Sequence, residues 1–424
     1  MSVFDDLSWR GLIAHCTDPQ ALKQDLDHGS ITFYVGFDPS APSLHMGNLL
    51  QLILVRRLQE AGHRPILLVG GSTGLIGDPR QSSERNLNPI ELVHGWLERI
   101  RDQVTRFVSF EGDNAAILVN NYDWTAGMGV LEFLRDIGKH FSVNRMLDRE
   151  VVKTRLESGI SYTEFSYVLL QSLDYLELHK RYGATLQTGG SDQWGNITAG
   201  VELIRRVTGD RAQALATPLV TKADGTKYGK TESGTLWLDP AMTSPYAFHQ
   251  FFLNAEDSMV GGYLRLFTLR SHEEIEALER QTIDAPQLRA AQRALADDLT
   301  DLVHSPDQRR AVTAAAAAVF GRGDLEGLDP DALSAAVREL PSVAWSRLDG
   351  RTVIDALAES GVCASKSAAR RTVQEGGAYL NNDRIVDAER VLGEDDLVAG
   401  AVIIVRRGKK TVGAVRVGED AQGL

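Results

Sequence analysis

The first half of the chain alternates between short apolar stretches and segments whose apolar residues recur every three or four positions. Residues 31–37 are rich in aromatic and β-branched side chains, which is typical of a buried strand. Leu49 to Leu58 shows the helical period, and an apolar stretch from Ile66 to Val69 follows. A strand, a helix and a strand in this order predict parallel strands joined by a right-handed crossover.

The alternation continues to about residue 221. It predicts an open, mostly parallel sheet, and ligands of such sheets bind beyond the carboxyl ends of the strands. A short helical lead-in is predicted before the first strand, over residues 1–30. The other predicted helices cover 89–111, 129–139, 144–157, 163–182 and a segment ending at Val207, and the other strands cover 115–119, 184–188 and 213–221.

The strand signal ends at Asp239-Pro240. Leucine-rich helical faces predict an all-helical domain over 240–320, and the mixed pattern of 321–350 predicts a linker with one helix. Residues 351–424 predict a small α+β domain. Its predicted helices cover 352–360 and 365–375, and its predicted strands cover 378–380, 384–386 and 401–405.

The composition limits the class of protein. A chain of 424 residues suggests two or three domains, and 43% hydrophobic with 24% charged residues is typical of a soluble globular protein. Cys16 and Cys363 are the only cysteines, so we expect no disulfide framework and a cytoplasmic location. Residues 1–10 lack the apolar core of a signal peptide, and the apolar run at 311–320 is too short to span a bilayer.

The net charge of −12 argues against a protein whose whole surface attracts nucleic acid. The charge is uneven, because residues 351–424 contain 11 basic and 11 acidic side chains. The rest of the chain therefore carries the entire negative excess. Any nucleic acid is expected to meet a local basic patch.

The first candidate site lies where the strand at 31–37 meets the next helix. Asp38-Pro39-Ser40 forces a turn, after which His45 and Asn48 add side-chain donors beside the helix N-terminus. Such a terminus presents free N–H groups and a partial positive charge. Gly47 has no side chain, which leaves room for a flat ring against the backbone. The stretch indicates a nucleotide-phosphate site.

A second candidate is the segment Lys227-Tyr228-Gly229-Lys230-Thr231, in which two lysines lie three positions apart. Flanking glycines predict a mobile cationic loop that closes on polyphosphate charge during transfer. The segment is not a Walker A loop, because the upstream glycine and preceding strand of that motif are missing. Taken alone, the same pattern also fits a surface turn that carries lysines.

Polar residues at helical spacing form a third candidate. Tyr167, Gln171 and Asp174 share one helix face, which can line a pocket for a small zwitterion. Taken alone, this pattern is more often a polar face exposed to water. Asp192 lies in a glycine-rich loop, where it can bind a ribose diol; Ser191 or Asp192 can also cap the following helix, and the two interpretations are compatible. No His-x-x-x-His or Cys-x-x-Cys motif occurs, so we expect no protein-bound metal and only Mg²⁺ carried by a nucleotide.

The first two candidates together resemble a known pair of signatures. His45-Met46-Gly47-Asn48 and Lys227 to Thr231 are similar to the His-Ile-Gly-His and Lys-Met-Ser-Lys-Ser motifs of class I aminoacyl-tRNA synthetases. The surrounding segments resemble the bacterial-type tyrosyl-tRNA synthetases, and the resemblance covers essentially the whole chain. These segments are 36–39, 70–79, 138–144, 159–167, 189–200 and 222–234.

The resemblance implies a role for individual residues. The implied tyrosine-binding residues are Tyr34, Asp78, Tyr167, Gln171, Asp174, Asn121, Thr73 and Gln193. The implied ATP-binding residues are Gly36, Asp38, Asn48, Gly190, Asp192, Leu219, Val220 and Lys230, with Leu219 and Val220 against adenine. The implied catalytic residues, which face the phosphates, are His45, Lys227, Lys230, Thr231, Ser40 and Arg85. The implied RNA-binding residues are Lys366, Arg370 and Arg371.

The resemblance also implies an architecture and a reaction. The expected fold is an α/β Rossmann-type nucleotide-binding catalytic domain over 1–239, followed by an all-helical anticodon-side domain and a small α+β alpha-L RNA-binding domain. The expected activity is ATP-dependent attachment of L-tyrosine to tRNA(Tyr) through a tyrosyl-adenylate, by a cytoplasmic homodimer with no organic cofactor. The alternatives are a tryptophanyl-tRNA synthetase and a non-catalytic RNA-binding relative. Tyr34 with Asp174 argues against the first, and intact His45, Lys227 and Lys230 argue against the second.

Three positions depart from the family pattern. Asn48 stands where a second histidine is usual, and we expect its amide to donate to a ribose oxygen instead. Ser40 stands where threonine is usual and keeps the hydroxyl. A lysine that commonly follows Asp78-Pro79 is missing, and Arg80 is the candidate to supply its charge.

Overall fold

The computed structural model describes residues 2–79, 89–231, 234–321, 323–408 and 411–418. They form two compact units. The first comprises Met1–Met242 and Ala255–Leu295, and the second comprises Thr243–Asn254 and Ala296–Leu424. No helix among the described residues is long and apolar enough to cross a membrane.

The strands are numbered in chain order. Those of the first unit are β1 (His15–Cys16), β2 (Thr32–Phe37), β3 (Arg64–Val69), β4 (Ile117–Asn120), β5 (Ala184–Gly190), β6 (Gln213–Thr217), β7 (Lys230–Thr231) and β8 (Gly234–Thr235). Those of the second unit are β9 (Ser342–Trp345), β10 (Ala378–Leu380), β11 (Asp383–Arg384), β12 (Val402–Arg407) and β13 (Thr411–Val417).

The first unit is built on a six-stranded sheet in the order β1-β6-β5-β2-β3-β4. The strands from β6 to β4 pair in parallel, and β1 pairs antiparallel at the edge. The predicted parallel α/β fold is therefore confirmed. The strand order reverses between β2 and β5, so the chain leaves these two strands in opposite directions and a crevice opens between them.

The helices are also numbered in chain order. Up to residue 207 they are α1 (Val3–Trp9), α2 (Pro19–His28), α3 (Met46–Glu60), α4 (Thr73–Ile76), α5 (Ile90–Thr105), α6 (Tyr122–Thr125), α7 (Val130–Glu132), α8 (Val143–Leu147), α9 (Glu150–Leu156), α10 (Tyr162–Tyr182) and α11 (Trp194–Val207). Beyond it they are α12 (Pro245–Leu253), α13 (Asp257–Phe267), α14 (His272–Asp284), α15 (Ala290–Val303), α16 (Pro306–Val319), α17 (Pro330–Arg338), α18 (Val353–Glu359) and α19 (Lys366–Gln374).

Both ends of α10 are set by local sequence. The Ser161 hydroxyl accepts a hydrogen bond from the Glu164 backbone N–H at the start of the helix. Gly183 ends it in the left-handed conformation, with φ of 68°, which favours glycine. The predicted helix at 163–182 is thereby confirmed, and its polar face is fixed relative to the sheet.

Two predicted helices are broken in the structure. The segment predicted as a helix at 129–139 contains α7, a π-helical turn at Phe133–Ile137 and a 3-10 turn at Gly138–His140. The predicted helix at 144–157 is divided into α8 and α9. Arg149 between them has an extended backbone, and its guanidinium donates to Asn196. Periodicity does not encode this tertiary contact.

The second unit has its own five-stranded sheet in the order β11-β10-β12-β13-β9. Leu357 of α18 packs with Ile403 of β12 and Val415 of β13 in its core. The predicted elements between 352 and 405 are present, but β9 and β13 were not predicted. Gly413 interrupts the pattern of β13, and it is needed because a Cβ there would approach the Pro341 carbonyl oxygen to 2.9 Å.

The predicted domain boundaries differ from the two units. The segment predicted as a linker with one helix, 321–350, contains one helix, α17, but it also contains β9, and Leu333 and Val337 are fully buried in the core of the second unit. The segment predicted as one helical domain, 240–320, is divided: α13 and α14 belong to the first unit, whereas α12 and α16 belong to the second. Contacts between residues distant in sequence define these units, and hydrophobic periodicity does not report such contacts.

Candidate active site

The first unit contains a cavity of about 460 Å³ at the carboxyl ends of β2 and β5. This is the switch point of the sheet, where ligands of open α/β folds bind. The sequence-predicted residues that line the cavity are Tyr34, Gly36, Asp38, Ser40, His45, Asn48, Thr73, Asp78, Tyr167, Gln171, Asp174, Gly190, Asp192, Gln193, Leu219, Val220, Lys227 and Lys230.

Four candidate residues of the site are not in the cavity wall as described. Asn121 is fully buried behind it and donates to Asp174. The Thr231 backbone lies in β7, but its side chain is outside the described part of the chain. Arg85 and Arg80 also lie outside the described residues.

Tyr34 and Asp174 form a buried polar pair in the cavity wall. The Asp174 carboxyl group accepts hydrogen bonds from Asn121 Nδ2 at 3.0 Å and from Trp124 Nε1 at 2.9 Å. Burial raises the pKa of Asp174 to about 8, and these hydrogen bonds offset it only in part. The Tyr34 hydroxyl is buried and has no hydrogen-bond partner among the described residues. A ligand hydroxyl that reaches this pair would supply the missing partner.

Asp38 connects the predicted nucleotide and amino-acid residues. Its carboxylate accepts hydrogen bonds from the Tyr167 hydroxyl at 2.5 Å and from the Thr73 hydroxyl at 2.6 Å. Gly70 permits this arrangement, because a Cβ there would lie 2.0 Å from Asp38 Oδ1. Tyr167 and Asp174 are both buried, so the alternative that this face of α10 is exposed to water is wrong.

A second carboxylate, Asp78, is held by two amide groups. Gln193 Nε2 donates to it at 2.8 Å and Asn196 Nδ2 donates to it at 3.0 Å. Asn196 was not predicted, although it follows Gln193 by three residues and so lies on the same side of the start of α11. The alternative that Ser191 or Asp192 caps this helix is wrong, because Gln193 occupies the cap position and makes no side-chain capping bond.

His45 and Asn48 form a reciprocal cap at the start of α3. His45 Nδ1 accepts from the Gly47 backbone N–H at 3.0 Å, and Asn48 Oδ1 accepts from the His45 backbone N–H at 3.1 Å. Because Nδ1 is an acceptor, the neutral ring carries its proton on Nε2. Burial lowers the pKa of His45, and the charge of Lys227 lowers it further. At neutral pH His45 is therefore a hydrogen-bond donor without a charge.

The predicted cationic loop is a hairpin, residues 220–230, which we call the lysine hairpin. Its ends are joined by a hydrogen bond from the Tyr228 N–H to the Val220 carbonyl at 2.9 Å. Lys227 and Lys230 are exposed and line the cavity. Gly229, with φ of 95°, packs against Met46, where a Cβ would lie 2.5 Å from Met46 Cβ. The two predicted signature segments are therefore in direct contact.

The three predicted RNA-binding cations are exposed on α19 in the second unit. Lys366 Nζ lies 2.6 Å from Asp355, and the Arg370 guanidinium lies 3.3 Å from Glu389. Arg371 lies in the last turn of the same helix. Two of the three cations are therefore paired with carboxylates, in a domain with equal numbers of basic and acidic side chains.

Comparison with protein families supports the interpretation of both units. Residues 26–321 match the model of class I tRNA synthetases (W and Y). Residues 332–414 match the model of the SYY-like C-terminal domain of tyrosine–tRNA ligase.

Individual relatives agree with these matches. The chain is 61% identical to a tyrosine–tRNA ligase of Cutibacterium acnes, over 97% of this chain and 99% of that protein. It is 57% identical to a tyrosine–tRNA ligase of Streptomyces avermitilis, over 98% of this chain and 99% of that protein. A C-terminally truncated mitochondrial tyrosyl-tRNA synthetase of Aspergillus nidulans has a similar structure, with a TM-score of 0.67 and 29% identity over 73% of this chain and 92% of that one. The chain therefore belongs to the class I tRNA synthetases and, within them, to the tyrosine–tRNA ligase family.

Proposed function

We propose that the cavity of the first unit attaches L-tyrosine to tRNA(Tyr) with ATP as the second substrate. The tyrosine carboxylate attacks the α-phosphate of ATP and forms tyrosyl-adenylate while pyrophosphate leaves. A ribose hydroxyl at the tRNA 3′ end then attacks the activated carbonyl, and AMP leaves. The observation that carries this proposal is one cavity that joins the Tyr34–Asp174 pair to His45 and the lysine hairpin.

Tyr34 and Asp174 bind the phenol of the substrate in this proposal. The Tyr34 hydroxyl, which has no partner in the described part of the chain, and the carboxyl group of Asp174 favour a ligand that carries a hydroxyl. Phenylalanine would supply no hydroxyl to either group and would leave the buried Tyr34 hydroxyl unsatisfied, so the site rejects it without an editing domain, a principle for which tyrosyl-tRNA synthetases are themselves the standard example. Asn121 and Trp124 hold Asp174 in place.

The substrate ammonium lies among acceptor groups on the other side of the cavity. Asp78 offers a carboxylate that Gln193 orients, and Gln171 Oε1 is buried without a partner among the described residues. Tyr167 and Thr73 complete this subsite through their hydrogen bonds to Asp38. An ammonium group donates three hydrogen bonds, which matches a set of acceptors better than a set of donors.

ATP occupies the remainder of the cavity, together with the Mg²⁺ that it carries. Gly36, Asp38, Gly190 and Asp192 bind the adenosine, and Leu219 with Val220 packs against adenine. Asn48 donates to a ribose oxygen, since its Oδ1 is already engaged by the backbone of His45. His45, Ser40, Lys227, Lys230, Thr231 and Arg85 contact the phosphates and stabilise the charge that develops on pyrophosphate.

The second unit binds tRNA through Lys366, Arg370 and Arg371 in this proposal. Their exposure on one short helix supports a phosphate-contacting surface. Residues 351–424 would form the alpha-L RNA-binding domain, and the helices between 240 and 320 would lie on the anticodon side. We further propose a cytoplasmic homodimer, which is supported by exposed apolar residues on the first unit, among them Val130 (74% exposed), Leu131 (82%) and Tyr162 (69%).

ATP–pyrophosphate exchange tests the activity directly. The assay is run without tRNA in the presence of each of the twenty amino acids in turn. We expect exchange with tyrosine and none with tryptophan or phenylalanine. Exchange with tryptophan would identify the tryptophanyl alternative, and no exchange at all would favour the non-catalytic alternative.

Substitution of Lys230 tests the role of the lysine hairpin. We expect Lys230→Ala to slow adenylate formation by about 10²-fold, because a charge-stabilising group is lost from the transition state. Tyrosine affinity should change little, since Lys230 acts on the phosphates. Rapid-quench measurement of adenylate and equilibrium titration of tyrosine separate the two effects. Lys222→Ala, on the same hairpin outside the cavity wall, is the matched control. An equal loss of rate and tyrosine affinity would contradict the assignment.

A further inference from the structure

The lysine hairpin has exposed cations on both sides of a buried aromatic ring. Tyr228 is 9% exposed, whereas Lys227 before it and Lys230 after it are exposed. The ring therefore anchors the hairpin while the two cations project from it. The position of the ring determines where both cations stand relative to the cavity.

Helix α13 supplies the surface on which this ring packs. The rings of Tyr228 and Tyr263 are stacked, with centroids 4.0 Å apart and an interplanar angle of 22°. Phe267 follows Tyr263 by one helical turn, lies 6.3 Å from the Tyr228 ring, and itself lines the cavity. Stacked and offset aromatic pairs stabilise beyond the burial of their area.

Tyr263 also binds the other side of the hairpin. Its hydroxyl donates to the carbonyl oxygen of Thr221 at 2.9 Å. Thr221 is paired with Lys227 across the hairpin. A single side chain therefore contacts both strands of the hairpin, through its ring on Tyr228 and through its hydroxyl on Thr221. Burial raises the pKa of Tyr263 to about 12, so the hydroxyl keeps its proton at neutral pH.

We propose that Tyr263 is a positioning residue that holds the lysine hairpin where Lys227 and Lys230 meet the phosphates of ATP; this inference rests on the proposed function. Tyr263 does not line the cavity, so it touches neither substrate. It acts through the hairpin, by restricting the cationic side chains to the side of the hairpin that faces the cavity. The hydrogen bond and the ring stack are separable contributions to the same restraint.

Two substitutions separate these contributions. Tyr263→Phe removes the hydrogen bond and keeps the ring, so we expect adenylate formation to slow by about two- to tenfold. Tyr263→Leu removes both, so we expect a larger loss. Tyrosine affinity should stay within about twofold of wild type in both variants. Tyr246→Phe, which removes the hydroxyl of a buried tyrosine in the second unit, is the matched control and should leave the rate unchanged.

A double-mutant cycle with Lys230→Ala distinguishes positioning from a general loss of stability. If Tyr263 acts through the hairpin, Tyr263→Phe should slow the reaction less than about twofold in the Lys230→Ala background. A loss as large as in the wild-type background, or a parallel loss of tyrosine affinity, would overturn the inference while leaving the proposed function intact. A wild-type protein without tyrosine-dependent exchange would overturn both.

Discussion

At Asp174, burial and hydrogen bonding act on one carboxyl group in opposite directions. Burial favours the neutral acid, whereas the donors Asn121 and Trp124 favour the carboxylate, and burial is the stronger effect. The folded protein thus holds a proton on Asp174 to about pH 8, whereas an exposed aspartate loses it near 3.8. Asp174 lines the cavity, and a carboxyl group with a strongly shifted pKa in a cavity is typical of functional sites.

The pH dependence of stability should report this group. Between pH 4 and pH 8 the folded state binds a proton on Asp174 that the unfolded state has released, so this group makes stability fall as pH rises. Asp174→Asn removes the titration, so the unfolding temperature of the variant relative to wild type should increase from pH 5 to pH 8. Thermal unfolding at several pH values measures it, with Asp113→Asn as a surface control. Parallel pH profiles for wild type and Asp174→Asn would contradict the assignment.

Individual site residues could be predicted where their spacing along one element or a sequence motif indicated them. Tyr167, Gln171 and Asp174 share a helix face, and that face does lie in the cavity. Trp124 and Asn196 were missed because their roles depend on reaching Asp174 and Asp78, which lie about 50 and 118 residues away in sequence. Spacing along one element cannot report a contact of this kind.

Among the elements, the contact between the lysine hairpin and α3 is the one on which the site depends. The hairpin meets α3 at its N-terminal turn, where Gly229 packs on Met46. Leu236 links the two, because its N–H donates to the Gly229 carbonyl at 2.9 Å and its carbonyl accepts from the Met46 N–H at 3.2 Å. Two cationic side chains and the helix N-terminus then face one cavity. Neither element alone distinguishes a phosphate site from an ordinary turn or helix start.

A pair of glycines in the hairpin tests this contact. Gly225 and Gly229 both have positive φ, of 81° and 95°, so alanine is strained at either position. Only at Gly229 would the new Cβ collide with Met46, because the space around Gly225 is open. We expect Gly229→Ala to slow adenylate formation at least tenfold more than Gly225→Ala, with unfolding temperatures measured for both. Equal rates in the two variants would show that the close approach to Met46 is dispensable.

Elements with strong periodicity were predicted well, and elements defined by distant partners were not. The pattern of β2, α3 and β3 is complete within 38 residues, from Thr32 to Val69, and the structure follows it. In contrast, β9 lies in the predicted linker and is held in the sheet by parallel pairing with β13, which lies about 70 residues later in the chain. A short strand with such a distant partner carries little local signal.

The charge of the molecule is distributed unevenly along the chain. Its negative excess lies before residue 351, whereas residues 351–424 are balanced and carry the exposed cations of α19. A polyanionic partner is therefore repelled by most of the chain and contacts it at local basic groups. In the proposed function, the hairpin lysines are such a group in the first unit, and Lys366, Arg370 and Arg371 are one in the second.

The proposed homodimer is a property of the whole molecule, because no single element requires it. Leu131 on α7 is 82% exposed, although a leucine of this exposure contributes nothing to the core of its own chain. In a twofold interface each substitution occurs twice, so Leu131→Glu would bury two unpaired carboxylates. We expect it to raise the dissociation constant of the dimer by at least about 10²-fold. Sedimentation should then show the mass of one chain where wild type shows the mass of two.

Val386→Glu, at a valine 88% exposed in the second unit, is the control and should leave the mass unchanged. A wild-type protein that sediments as one chain, or a Leu131→Glu variant that still sediments as two, would contradict an interface on this face.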